Sequence, residues 1–351
     1  MLKEAVKKKL HAGTVIPAHP LALTKDRQLD EAGQRALTRY YLDAGVGGIA
    51  VGVHTTQFEI RDPEFNLYEK VLSLAIEETK QADVSDDFIK VAGICGPTEQ
   101  ALLEAKFSKE VGYDLGLLSM GGLNHLSEDE LIERAEKVAE IIPLFGFYLQ
   151  PAVGGRIFSY DFWLRFASIP NVYAIKIAPF DRYCSIDVVR AVCHSPRNEE
   201  IALYTGNDDN IINDLLTTFQ FNIGNQKVEK KIVGGLLGHW SVWTKRVVEI
   251  FDQVKEVQNH ELIPKELLTL GQEITDANAA IFDSRNRFKG SIAGINEILA
   301  RQGLLQGNWC LLDREVLSPG QAEELNRIYA SYPHLHDDDF VKANLSKWFA
   351  K

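Results

Sequence analysis

One lysine stands where a lysine is costly. Lys176 lies inside Val172-Tyr-Ala-Ile-Lys-Ile-Ala178, a run that reads as a buried strand. Strand alternation puts Ala174, Lys176 and Ala178 on one face and Tyr173, Ile175 and Ile177 on the other. An ammonium on the small-residue face has to be paired or neutral. Desolvation lowers its pKa, and a neutral amine is a nucleophile toward carbonyl carbon. The bland alternative is a rim lysine that reaches back to water. Tyr148 is the second candidate. It closes the run Phe145-Gly-Phe-Tyr-Leu-Gln-Pro151, grouped by alternation with Gly146 and Gln150. A phenol there would carry protons to and from an imine, or else be a core tyrosine bonded to backbone. Thr55 and Thr56 follow another apolar run in Val53-His-Thr-Thr-Gln-Phe58. Paired hydroxyls with backbone N–H groups hold a carboxylate; the same pair also suits an ordinary turn.

Other polar residues fall late in apolar runs and read as substrate contacts: Gly206 and Asn207 in Gly206-Asn-Asp208, Gln150, and the histidines His19, His54 and His239. The Gly-Asn-Asp segment also reads as a helix cap. Three imidazoles after three different strands support a rival chemistry, a metal-dependent hydrolase or lyase. That rival lacks an HxH pair and an obvious acidic partner.

These side chains need a frame. Eight short apolar runs occur at 13–18, 47–53, 88–95, 113–120, 145–150, 172–178, 201–205 and 232–237. Several are apolar at consecutive positions, as parallel strands covered on both faces are. Helical patterns separate them, at 29–44, 64–80, 131–142 (opened by the box Ser127-Glu-Asp-Glu130), 185–193 and 209–221. Eight strand–helix units predict an α/β fold, a (β/α)8 TIM barrel with its active site at the C-terminal ends of the strands. There is no GxGxxG after the first strand and no P-loop, which counts against a doubly wound nucleotide fold. Beyond about residue 247 only helical patterns follow, at 243–257, 264–282, 291–302, 321–330 and 340–349, with Asp337-Asp-Asp339 read as a solvated link. The expected domains are therefore a catalytic barrel over 1–250 and an all-helical domain over 251–351.

Length agrees, since 351 residues is long for one ordinary domain. Lys and Arg number 38 against 49 Asp and Glu, a formal net charge of −11. An acidic chain without a basic block is a poor partner for nucleic acid or an anionic membrane. The four cysteines form no CxxC pair, as expected of reduced thiols in the cytoplasm. The N-terminal lysines are followed by no apolar stretch, so no secretory signal is expected.

Taken in order, Thr55-Thr56, Tyr148-Leu-Gln-Pro151 and Lys176 resemble the dihydrodipicolinate synthase / N-acetylneuraminate lyase family of Schiff-base aldolases. Members carry a Thr-Thr or Ser-Thr pair after strand two, a Tyr-x-x-Pro motif ending strand five and an imine-forming lysine in strand six. The Tyr148 to Lys176 spacing is the family's. Val15-Ile-Pro-Ala-His-Pro-Leu21, Ala44-Gly-Val-Gly-Gly-Ile49 and Gly206-Asn-Asp208 extend the likeness over nearly the whole chain. Departures are as specific. The pair sits in His54-Thr-Thr-Gln-Phe58 instead of Gly-Thr-Thr-Gly-Glu. Val153 stands where the synthase has an arginine, with Arg156 nearby. Gly121-Gly-Leu-Asn-His125 lacks the tyrosine that the synthase lends to its partner subunit, and Ile177 follows the lysine.

The resemblance implies a class I lyase or aldolase that makes or breaks a bond next to the carbonyl of a 2-oxo acid, pyruvate first. Lys176 would form the Schiff base and Tyr148 shuttle protons. Thr55 and Thr56 would hold the carboxylate and bond Tyr148. No cofactor or metal is implied. The partners are an oxo acid and an aldehyde-type acceptor, in a homodimer or homotetramer. The departures point away from the synthase's own reaction and leave room for a member that only binds its ligand.

Overall fold

The computed structural model describes residues 1–350. In chain order the elements are α1 (Glu4–Ala12), β1 (Val15–Pro17), α2 (Glu31–Ala44), β2 (Gly48–Val51), α3 (Tyr68–Gln81), β3 (Ile89–Ile94), α4 (Thr98–Val111), β4 (Leu115–Leu118), α5 (Glu128–Ala139), β5 (Leu144–Leu149), α6 (Tyr160–Ser168), β6 (Val172–Ala178), α7 (Arg182–His194), β7 (Ala202–Thr205), α8 (Ile211–Leu216), β8 (Thr218–Ile223) and β9 (Gln226–Leu237). Five helices follow: α9 (Thr244–Val257), α10 (Lys265–Ile281), α11 (Ser291–Arg301), α12 (Gln321–Ser331) and α13 (Asp338–Trp348). The strands run in the order β1-β9-β7-β6-β5-β4-β3-β2, with β8 paired to β9 outside that path. The two ends of the order meet, Gly47 N donating to Val15 O at 3.2 Å and His19 N to Ala50 O at 2.8 Å. The fold is a (β/α)8 barrel. No described helix is long and apolar enough to cross a membrane.

Two compact units make up the chain: Met1–Thr14 with Asp86–Leu236, and Val15–Ser85 with Leu237–Lys351. The helices after residue 250 thus share a unit with β1 and β2.

In the first unit, β3 to β7 and β9 pair in parallel. All seven residues of β6 are buried, as its unbroken apolar run requires. The flanking helices begin on side-chain caps. Ser127 and Glu130 form the expected box on α5, and Ser159 and Asp181 accept from Phe162 N and Cys184 N to open α6 and α7. One segment departs from expectation. The helix expected over 209–221 stops at Leu216, and Thr218–Ile223 turns at Gly224-Asn225 to pair antiparallel with Gln226–Lys231. Period-two alternation across a Gly-Asn turn, with Gly224 at φ +59°, favours a hairpin over a second helical turn.

In the second unit, α2 begins at Asp30, which accepts from Gly33 N, and ends at the left-handed Gly45. The expected solvated link at 337–339 is instead partly a buried brace. Asp337 is 6% exposed and accepts from Tyr40 Oη at 2.7 Å, Lys245 N at 2.9 Å and Gln302 Nε2 at 2.8 Å. Tyr40 Oη in turn accepts from Thr244 N at 2.6 Å. Burial pushes the Asp337 carboxyl up, and these hydrogen bonds oppose the rise. Asp337→Ala removes the shared acceptor of these donors, the buried Tyr40 hydroxyl among them, and is expected to cost roughly 2–4 kcal/mol in a urea titration. A loss under about 0.5 kcal/mol, the level of an ordinary surface change, would show that the brace is unimportant.

Candidate active site

The site is built on the first unit, from β5, β6, β7 and the segment after β7. Register decides which side chains share a face, because partners in parallel strands point the same way. Lys176 pairs with Phe147 on β5 and with Tyr204 on β7. Lys176 Nζ lies 4.4 Å from the centroid of the Phe147 ring, within cation–π range. On the other side its stem runs along Gly206. A Cβ at residue 206 would lie 2.5 Å from Lys176 Cε and 2.7 Å from the Ala178 Cβ, so only glycine leaves room for the lysine. The side chain is 7% exposed. Burial drives its ammonium down from the ordinary 10.5 to about 8, and the Asp208 carboxylate holds it against a further fall. An amine near 8 keeps roughly a tenth or more of its population neutral at physiological pH, far more than an ordinary lysine.

Tyr148 is not beside it. Tyr148 pairs with Ile177, on the opposite face of the sheet. Its ring packs 4.9 Å from Trp163 and 5.8 Å from Phe158, against α6 and the segment leading into it. Its hydroxyl accepts from Phe158 N at 3.3 Å and shares a hydrogen bond with Cys184 of α7. Burial pushes the phenol well above its ordinary range. Gly146 lies on the same outer face, where a Cβ would strike Phe166 at 2.5 Å. The expected pairing of Tyr148 with Lys176 is therefore corrected, and the cause is one residue. Leu144 is opposite Val172, but Phe145 is opposite Ala174, so β6 carries one extra residue at Tyr173. Before that irregularity, residues 28 apart are opposite each other; after it, residues 29 apart are. A bulge of this kind moves every later side chain to the other face.

The other expected contacts have structural partners. Asn207 is fully buried and clamps its segment: Oδ1 accepts from Phe180 N at 3.0 Å, and Nδ2 donates to Asp214 at 3.1 Å and Ser185 at 3.3 Å. Gln150 directly follows β5, and its carbonyl accepts from Gly155 N at 3.0 Å. Arg156 donates to Leu126 O at 2.8 Å.

In the second unit, Thr55 Oγ1 donates to Ala18 O at 2.7 Å and Thr56 Oγ1 to His19 O at 2.6 Å. Thr56 Oγ1 also accepts from Gly52 N and Val53 N, so its hydroxyl is saturated by backbone and has no capacity left for a phenol. His19 is buried, with Nε2 2.9 Å from Thr38 Oγ1 and Nδ1 2.8 Å from Pro20 O and 3.0 Å from Gln34 Nε2. Burial brings His19 down to about 4, and His239, which bonds Asn278, likewise to about 4. His54 rests against the Phe58 ring at 5.8 Å. Among the described residues no group of His, Cys, Asp and Glu gathers as a metal site would require, so the three-histidine rival has no centre. All four cysteines are unpaired with one another.

No family model matches the chain. Among curated proteins it is similar to N-acetylneuraminate lyase 2 of Escherichia coli O6:H1, 24% identical over 89% of this chain and 90% of that protein. It is also similar to 4-hydroxy-tetrahydrodipicolinate synthase of Syntrophobacter fumaroxidans, 30% identical over 52% of this chain and 60% of that one. Among solved structures, N-acetylneuraminate lyase from Fusobacterium nucleatum complexed with pyruvate matches with a TM-score of 0.70 at 18% identity, over 93% of this chain and 99% of that one. Dihydrodipicolinate synthase from Aquifex aeolicus matches at 0.72, also 18% identical, with the same coverage. The chain is thus similar, at low identity, to lyases of the dihydrodipicolinate synthase / N-acetylneuraminate lyase group and shares their fold.

Two neighbours of Lys176 have no clear signal in the sequence. The parity of Phe147 depends on the bulge. Asp208 is masked because Asp208-Asp209 before an apolar run reads as a helix cap. Tyr148→Phe tests the outward placement. It is expected to cost about 1 kcal/mol of stability and to leave the labelling rate of Lys176 by trinitrobenzenesulfonate within about twofold. A change above about tenfold, one pKa unit, would put the phenol beside the amine.

Proposed function

We propose that the protein is a class I lyase whose Lys176 forms a Schiff base with a 2-oxo acid, pyruvate first, to make or break a carbon–carbon bond. The observation that carries this reading is a desolvated amine, lowered to about 8, on the face of β6 turned away from the helices. An amine in that state attacks a keto carbon, and the protonated imine then acts as an electron sink for the neighbouring carbon. The pyruvate bound to the Fusobacterium nucleatum lyase supports the choice of oxo acid. The second substrate would be an aldehyde-type acceptor, and the assembly a homodimer or homotetramer, as in the family.

The authentic synthase reaction does not fit these residues. Val153 offers no cation for a dicarboxylate acceptor, and the segment Gly121–His125 has no tyrosine to lend to a partner. The outward turn of Tyr148 favours one second reading, a barrel that binds an oxo acid without turning it over. Labelling of Lys176 with no turnover of any bound acid would establish that reading.

Incubation with pyruvate and borohydride is expected to attach a reduced pyruvyl group to Lys176, found by peptide mass spectrometry and lost in Lys176→Ala. The neutral amine is the reactive form. The initial trapping rate should therefore rise about tenfold per pH unit below 8 and level off above it. A protein that no 2-oxo acid labels at Lys176 would contradict the proposal.

A further inference from the structure

Imine chemistry needs a proton carrier at the amine, and the tyrosine expected in that role faces α6 and α7. The elements beside Lys176 present different groups to it. On β5 its register partner is Phe147, which carries no proton. On β7 its partner is Tyr204, whose hydroxyl donates to Leu10 O of α1 at 2.9 Å and is buried there. Beyond β7, Gly206 packs on the lysine stem, and Asp208 follows two residues later, 7% exposed. Asp208 is the charged group that acts on the lysine. Asp209 instead feels Arg182 and Asp214.

The segment that carries Asp208 is held fast. Asn207 ties it to Phe180, Ser185 and Asp214, and Asn210 N donates to Asn207 O at 3.0 Å. Asp214 is itself bonded by Thr205 Oγ1 at 2.6 Å and by Arg182 at 2.5 Å. A buried network of this kind fixes the position of the residue it brackets. Binding by Asn207, expected from the sequence, is thus replaced by anchoring: the asparagine holds the carboxylate that follows it.

We infer that Asp208 is the acid–base group of the Lys176 reaction, exchanging protons with the lysine nitrogen and with the oxygen and carbon that react there. The inference rests on the Schiff-base reading above. With Lys176 as neutral amine beside the Asp208 carboxylate, the N–C bond forms and Asp208 relays one proton from the nitrogen to the former carbonyl oxygen. The C–O bond then breaks, and the departing water carries that hydrogen and one from solvent, leaving an iminium beside a carboxylate. That carboxylate then takes a proton from the carbon next to the iminium, giving a neutral enamine and the carboxylic acid. In the cleavage direction it takes the acceptor hydroxyl proton as the C–C bond breaks, and an aldehyde leaves.

The test uses the full-length protein with pyruvate and needs no acceptor. Two quantities are read: borohydride trapping on Lys176, and exchange of pyruvate methyl hydrogens for deuterium, followed by proton NMR. Wild type should do both. Asp208→Asn should still trap pyruvate on prolonged incubation, while exchange falls about 10²–10⁴-fold, the usual worth of a positioned acid–base group. Its trapping profile should also move to lower pH, since the carboxylate that favours the ammonium is gone. Asp208→Glu should restore part of the exchange. Exchange at the wild-type rate in Asp208→Asn would overturn the inference while leaving the Schiff-base reading intact. Loss of both signals in a folded Asp208→Asn, with no rescue by Asp208→Glu, would make Asp208 structural and overturn it too. Failure of the wild type to trap pyruvate would instead refute the reading beneath it.

Discussion

The chemistry of this protein depends on how β5 lies against β6. One extra residue at Tyr173 changes the offset between the strands from 28 to 29 and so assigns Phe147 to Lys176 and Tyr148 to the helices. Nothing in side-chain chemistry could reverse that assignment, because the pleat alternates strictly. The surroundings have been built to fit it. Gly146 leaves room for Phe166 on the outer face, Trp163 and Phe158 enclose the Tyr148 ring, and Phe158 N meets its hydroxyl. Undoing the bulge would drive a phenol into the barrel and Phe147 out of it. The Tyr148 ring would then leave its aromatic pocket, and Phe158 N its acceptor.

Lys176 follows from the same constraint. A buried ammonium is costly, and the site lowers the cost in three ways. The aromatic face of Phe147 lies under the nitrogen, Gly206 lets the methylene stem pass, and Asp208 supplies a compensating charge. Desolvation still outweighs the carboxylate, so the amine ends below its ordinary value. That balance suits a carbonyl nucleophile: dry enough to hold an appreciable neutral fraction near neutral pH, with a carboxylate acting on it. The Thr56 hydroxyl, for its part, is saturated by backbone, donating to His19 O and accepting from Gly52 N and Val53 N.

The barrel was legible because it depends on patterns that persist over many residues. Continuous apolar runs such as 172–178 announce parallel strands, and Ser127-Glu-Asp-Glu130 announces a helix start. The lysine was legible for the same reason, as a charge inside such a run. What was hidden depends on single residues or on distant partners. The β5–β6 bulge leaves no mark in the spacing of Tyr148 and Lys176, which keeps the family value while the geometry changes. Asp337 looks like one of three solvated acids until Tyr40 and the Lys245 amide, far away in the chain, are placed on it. His19 and His239 look like ligands at strand ends, yet each is a neutral core imidazole with partners of its own. The hairpin at 218–231 was legible in principle, but alternation across Gly224-Asn225 competes with a helical reading of the same residues.

The most direct test is a titration of the Lys176 amine itself. Lysine carrying ¹³C at Cε can be followed by NMR as pH is raised, with Lys176→Met identifying its resonance. The structure predicts a midpoint near 8 for this lysine, well below that of the exposed ones. A midpoint at the ordinary 10.5 would mean that residue 176 is solvated and protonated at neutral pH, and the proposed nucleophile would not exist.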